Sequence, residues 1–240
     1  MANGGQKRIR VSDLITEGDI AGWNPWNPVI ITAGTGVGKS FFIKNVLYRY
    51  AKDNNHKILM LIHRKLCVEQ FQMEVAEDGK DDVIHIMTYQ KIEKDEMYNI
   101  SSELQQYRYI VSDEFHYFIS DAGFNNTTDI SFKKILSMGN TVKIFMSATG
   151  EDVEEYMRRT VKVKAVNYRV PFDWSFISTL NFYHNDASLP EFAKAVLEKG
   201  DRAIFFIQQA RKAYEFYKQF SGYAVFNCSK QNEKYYKYVD

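Results

Sequence analysis

Val29-Ile30-Ile31-Thr32-Ala33-Gly34-Thr35-Gly36-Val37-Gly38-Lys39-Ser40 runs from an apolar stretch through a glycine-rich loop into a helical pattern that opens Phe41-Phe42-Ile43. That order, strand to loop to helix, is the setting of a phosphate-binding loop. Glycines allow the positive φ values and close approach by which successive backbone N–H groups cradle a phosphate, and the helix N-terminus adds partial positive charge. The reading makes Gly34, Thr35, Gly36, Val37, Gly38, Lys39 and Ser40 the nucleotide-binding residues. Lys39 is expected to reach the β/γ-phosphates, and the Ser40 hydroxyl to ligate Mg²⁺ beside ATP.

Outward from the loop, short β-branched or aromatic runs alternate with helical periodicity, which predicts an α/β fold with a parallel sheet and crossover helices. Strands are expected at Val29–Thr32, Ile58–Ile62, Val83–Met87, Tyr109–Ser112, Val142–Met146 and Val161–Val166. Helices are expected at Lys39–Lys52, Lys65–Ala76, Ser131–Met138 and Asp152–Arg158, the first stopped by Asp53-Asn54-Asn55. Right-handed crossovers gather the strand C-termini on one edge, so the residues just after each strand are where chemistry is sought.

Near Pro171 the alternation pauses, and a second cycle starts at Phe182-Tyr183-His184. It contains expected helices at Pro190–Lys199 and Ala210–Phe220 and expected strands at Ala203–Ile207 and Ala224–Asn227. The organisation read from this is an N-terminal extension over 1–28, an ATP-binding lobe over 29–170, a linker over 171–180 and an incomplete second α/β lobe over 181–240.

Composition narrows the class. Lys and Arg total 31 against 30 Asp and Glu, so overall charge announces no nucleic-acid partner and any such contact must be local. Aromatics reach 15%, for which a Phe/Tyr-rich core is favoured over base stacking. Two cysteines, Cys67 and Cys228, imply neither a disulfide framework nor a zinc site. No stretch has the length of a membrane span and the basic N-terminus is followed by no apolar h-region, so the expectation is a cytoplasmic protein with no membrane partner.

Strand Tyr109-Ile110-Val111 runs into Ser112-Asp113-Glu114-Phe115-His116. An acidic pair at a parallel strand tip, in a chain with a phosphate loop, is placed for Asp113 to hold Mg²⁺ and for Glu114 to polarise the attacking water. Trp23-Asn24-Pro25-Trp26, ahead of the first strand, reads as a plug over the sheet edge, with an indole stacked on adenine as the alternative.

Asp113-Glu114-Phe115-His116 resembles the D-E-x-H box of superfamily 2 helicases, and Ser147-Ala148-Thr149 after Lys143-Ile144-Phe145-Met146 resembles their S-A-T motif. Ala33–Ser40 has that superfamily's A-x-x-G-x-G-K-[ST] form. Leu61-Ile62-His63-Arg64 and Met87-Thr88-Tyr89-Gln90 look like its next two motifs, and all five stand in the family's order. Beyond Thr149 the likeness thins, although Ala203–Arg211 resembles the fourth motif, the strand that opens a second lobe.

The resemblance implies a P-loop NTPase of RecA-like fold, an ATP-driven translocase or unwinding enzyme tracking single-stranded DNA or RNA. It implies Lys39, Asp113, Glu114 and His116 as catalytic residues, Ser147 and Thr149 as the relay of nucleotide state, and Arg64, Thr88 and Gln90 as contacts to the nucleic acid. The bland alternatives are a histidine that caps the segment after the strand, a Thr149 helix cap, and an Arg64 that is merely solvated. A Gln-bearing motif upstream of Trp23 and the arginine-finger segment Q-x-x-G-R-x-x-R do not occur. The expectation is therefore a truncated or degenerate relative whose finger comes from a partner or a further segment; the alternative is an accessory nucleotide- or nucleic-acid-binding module without efficient turnover.

Overall fold

The computed structural model describes residues 9–100, 103–116, 118, 128–149, 151–175, 177–180, 182 and 185–238. The chain divides into two units, Met1–Trp174 and Ser175–Asp240.

The first unit is built on a six-stranded parallel sheet ordered β3-β2-β4-β5-β1-β6. Its strands are β1 (Val29–Thr32), β2 (Lys57–Ile62), β3 (Ile84–Thr88), β4 (Tyr107–Asp113), β5 (Val142–Ser147) and β6 (Val166–Arg169). β1 and β5 are buried along their whole lengths, which explains why Val29–Ile31 and Ile144–Met146 read as apolar runs rather than alternating ones; Lys143, buried within β5, donates Nζ–H to the Pro25 carbonyl at 2.8 Å. Five of the strands lie within a residue or two of their sequence-based positions, but β6 does not. Val161 closes a helix, and pairing with β1 starts only at Val166.

Two short helices, α1 (Val11–Leu14) and α2 (Glu17–Gly22), precede β1. Thr16 and Asp19 form a reciprocal capping box that starts α2. Val11, Ile15, Ile20 and Trp23 enter one face of the core with Val29, Ile31, Phe42 and Leu47, so the described part of the N-terminal extension is packed structure. Trp23 is buried, lies edge-on to Phe42 and donates Nε1–H to the Tyr168 hydroxyl, as a plug would, whereas Trp26 is exposed.

After the loop, α3 runs as Lys39–Phe41, widens to π-type hydrogen bonding over Phe42–Leu47 and continues over Tyr48–Asp53. Asn55 in the left-handed region follows its end. Among the described residues, the remaining α-helices of this unit are α4 (Lys65–Glu77), α5 (Tyr89–Met97), α6 (Thr128–Ser137) and α7 (Glu151–Tyr156), the last extended by a π-type turn over Met157–Val161. α5 was not expected from the sequence. It packs on the other face of the sheet, where Tyr89 and Ile92 join Leu59, Leu61, Ile110, Phe118, Phe132 and Phe145.

In the second unit, α8 (Ser188–Glu198) and α9 (Ala210–Lys218) form as expected. Ala203–Ile207 and Ala224–Asn227 do not become strands. Phe205 packs between Phe192 and Phe216, while Ile204 and Phe206 face solvent, so the alternation of a strand is present without a neighbouring ladder to bond to. Tyr183 and His184 of the expected opening run lie outside the described residues.

Candidate functional site

The parallel register brings the motif-bearing strand ends to one edge. β5 lies between β1 and β4, with Thr32 opposite Ser147 and Asp113 opposite Met146, so the phosphate loop, the acidic box and the S-A-T run emerge side by side. Ala33 N–H donates to the Ser147 carbonyl at 2.9 Å and ties the root of the loop to β5. The Val37 carbonyl accepts from Val11 N–H at 3.1 Å, so α1 holds the loop from behind.

Gly36 and Gly38 have φ of 77° and 86°, the left-handed region where any side chain is strained. Gly34 is required for another reason. A Cβ there would stand 2.9 Å from Cε1 of Phe172, which follows β6 and stacks on Trp174. Thr35 and Ser40 are exposed on the loop and Val37 is buried beneath it.

Lys39 Nζ donates to the Ala33 carbonyl at 2.9 Å and lies 3.7 Å from Glu114 Oε1. The ammonium thus stands between the loop and the acidic box. Asp113 Oδ1 is buried with no hydrogen-bond partner, a costly arrangement for a carboxylate oxygen. Burial first, and then the Glu114 charge, push the Asp113 carboxyl up to about 6, with Lys39 opposing. Glu114 is itself left-handed at φ 50°, which turns the chain sharply at the strand tip and is strained for a non-glycine residue.

His116 Nδ1 lies 2.9 Å from Ser147 Oγ and 3.3 Å from Glu114 Oε2. Ser147 Oγ is 3.4 Å from the same carboxylate and accepts from Thr149 N–H at 3.1 Å. The expected relay residues therefore form one polar cluster around Glu114. Asp113 Oδ1, the Ser40 hydroxyl and the Lys39 ammonium are the groups of this edge that could hold a hard cation and phosphates, and Mg²⁺ needs only one or two protein oxygens. Among the described residues no group of three His, Cys, Asp or Glu side chains offers a metal centre of another kind.

The second edge is made by the ends of β2 and β3. Arg64 is exposed at the start of α4. Thr88 caps α5 by accepting Lys91 N–H at 3.2 Å, and Gln90 Nε2 lies 3.2 Å from His63 Nδ1. Of the three residues expected to contact nucleic acid, two side chains thus have partners within the fold.

Tyr89, buried between Thr88 and Gln90, escaped the sequence reading: its hydroxyl donates to the Asp113 carbonyl at 2.8 Å, a contact across 24 positions with no local signature. A cavity of about 840 Å³ in the second unit is lined by Phe205, Phe216, Phe220 and Phe226 and carries none of these groups.

A family model described as Type III restriction enzyme, res subunit, matches residues 10–152, more than half of the chain and all of the edge just described. No curated protein matches the chain. The crystal structure of the DUF1998 helicase MrfA is similar in fold, with a TM-score of 0.58 at 18% identity over 83% of this chain and 38% of that one. The structure of MrfA bound to DNA and AMPPNP gives 0.57 at 15% identity over 82% and 34%. The chain thus spans about a third of the length of those structures.

Proposed function

Because the chain belongs to the Type III restriction enzyme, res subunit family and its first unit is a RecA-like domain of the superfamily 2 helicase kind, we propose that it is the ATP-hydrolysing part of a nucleic-acid motor. The observation that carries the reading is Asp113 Oδ1, buried and without a partner, beside a lysine that ends a phosphate loop.

In this reading backbone N–H groups of residues 34–40 and the Lys39 ammonium bind the phosphates of ATP. Ser40 and Asp113 hold Mg²⁺, which when bound screens the phosphate charge. Glu114 accepts a proton from the water it orients, with the Lys39 ammonium 3.7 Å from its carboxylate. His116, Ser147 and Thr149 pass the state of the site outward through their shared hydrogen bonds. Arg64 grips a phosphate of single-stranded DNA or RNA, with Thr88 and Gln90 beside it. Residues 1–28 serve as an extension, 29–170 as lobe one, 171–180 as linker and 181–240 as the opening of lobe two in a cytoplasmic protein. An arginine from outside 29–170 meets the transition-state charge; such fingers contribute about 10³ to 10⁵ in rate.

The test is Mg²⁺-dependent ATP hydrolysis by the chain, titrated with single-stranded DNA, duplex DNA and RNA. Stimulation by one nucleic acid, lost in Lys39→Ala, is expected and identifies the partner. Nucleotide binding with no turnover under any addition would favour an accessory module instead, and no nucleotide binding at all would overturn the reading.

A further inference from the structure

Tyr89 is the first residue of α5, and its side chain is fully buried. Its ring lies edge-on to Phe118 at 5.0 Å, within the apolar cluster that holds Leu59, Ile110 and Phe145. A phenol in such surroundings keeps its hydrogen bond firmly, because breaking it leaves a buried donor unsatisfied. The acceptor is the Asp113 carbonyl, 2.8 Å away.

Pairing of β4 with β2 ends at Ser112 opposite Leu61, while pairing with β5 continues to Asp113. Past Ser112 the strand has lost β2, and the Tyr89 hydroxyl holds the next carbonyl. That carbonyl shares a planar peptide unit with the Glu114 N–H, so any rotation of one rotates the other. Glu114 is already in the left-handed region, where a small change of backbone dihedral re-aims its carboxylate.

On the outer side of the same helix start, Thr88 caps α5 and Gln90 reaches His63, next to exposed Arg64. One turn of helix therefore joins the residues assigned to the nucleic-acid strand to the peptide that carries Asp113 and Glu114. We propose that Tyr89 is a positioning residue that couples strand binding to the setting of the acidic box. The proposal rests on the motor reading above. A strand engaging Arg64 and Gln90 shifts the start of α5, and the Tyr89 hydroxyl transmits that shift to the 113–114 peptide. In the reverse direction, Mg²⁺–nucleotide at Asp113 alters affinity for the strand, as linkage requires.

The experiment compares wild type with Tyr89→Phe, which removes only the hydroxyl. Affinity for labelled single-stranded DNA and RNA is measured by fluorescence anisotropy with and without saturating Mg²⁺–AMPPNP, alongside AMPPNP affinity and thermal midpoint. Wild type is expected to show a coupling factor in the usual range of about 5 to 150, and Tyr89→Phe a factor near one with each separate affinity retained. A Tyr89→Phe chain that melts earlier yet keeps the full factor would make the hydroxyl merely structural and overturn the proposal. So would a wild type that binds both ligands with no coupling. A wild type that fails to bind AMPPNP would overturn the motor reading itself, and the coupling with it.

Discussion

The nucleotide edge and the β2/β3 edge of the first unit are built from the same parallel strands, yet they satisfy their polar groups differently. At the first, Asp113 Oδ1 is buried without a partner, Glu114 is backbone-strained, and the Asp113 carboxyl is pushed up to about 6. At the second, Thr88 and Gln90 have already found partners in Lys91 N–H and His63, and Arg64 is exposed. Unpaid desolvation and strain concentrate where a charged ligand would relieve them. The β2/β3 edge needs no ligand to be complete, so in the proposed function its grip on a strand would rest chiefly on Arg64.

The largest expected effect lies on the strained edge. Glu114→Gln keeps shape and hydrogen bonding but removes the base, so turnover should fall by about 10²- to 10⁴-fold while nucleotide still binds. Steady-state hydrolysis with a parallel binding titration checks this; lost binding would make Glu114 structural and break the contrast.

Next comes Asp113→Asn. The folded chain holds the Asp113 proton up to about pH 6, whereas the unfolded chain releases it near the ordinary value of 3.8. The native state therefore binds more protons across that window, and this group's effect is to lower stability as pH rises through it. Above pH 6 the ionised carboxylate costs on the order of 3 kcal/mol, at about 1.36 kcal/mol per unit. Asp113→Asn should melt higher than wild type by a margin that grows from pH 3.8 to about 6 and then levels off. Calorimetric melts across that range report it, and a pH-independent margin would mean the carboxylate is not strained by burial.

On the satisfied edge the expected effects are smaller and divide by role. Thr88→Ala loses a helix cap and should cost about 1 kcal/mol of stability. Arg64→Ala should leave the melting point alone, weaken single-strand binding and reduce the log–log salt slope by about one. If Arg64→Ala melted earlier and left the salt slope intact, the assignment of this edge to nucleic acid would be wrong.

How far the sequence foretold these edges follows from which signals are local. The phosphate loop and the acidic box are contiguous motifs, and fully buried parallel strands announce themselves as runs such as Ile58–Ile62. α5 stayed hidden because its buried positions include Glu93 and Asp95. Glu93 accepts from Ser131 Oγ and Asp95 from Lys91, so carboxylates with polar partners stand where apolar periodicity was sought. β6 was displaced because Val161 and Val163 read as strand although Val161 ends the π-type turn. Ala203–Ile207 carries the right residues for a strand, but a strand exists only through its ladder, and pairing is not written in one segment. Tyr89 and Phe172 were silent because their functional neighbours, Asp113 and Gly34, are far away in sequence.

In the proposed function, Ala33–Ser40 and the acidic box together form a Mg²⁺–nucleotide site. Calorimetric titration of Mg²⁺–AMPPNP into wild type and Lys39→Ala is the decisive measurement. Lys39 supplies a charge-assisted contact worth about 1.5 to 3 kcal/mol, so the variant should bind roughly 10- to 150-fold more weakly while remaining folded. Equal affinity in the two proteins would contradict the assignment.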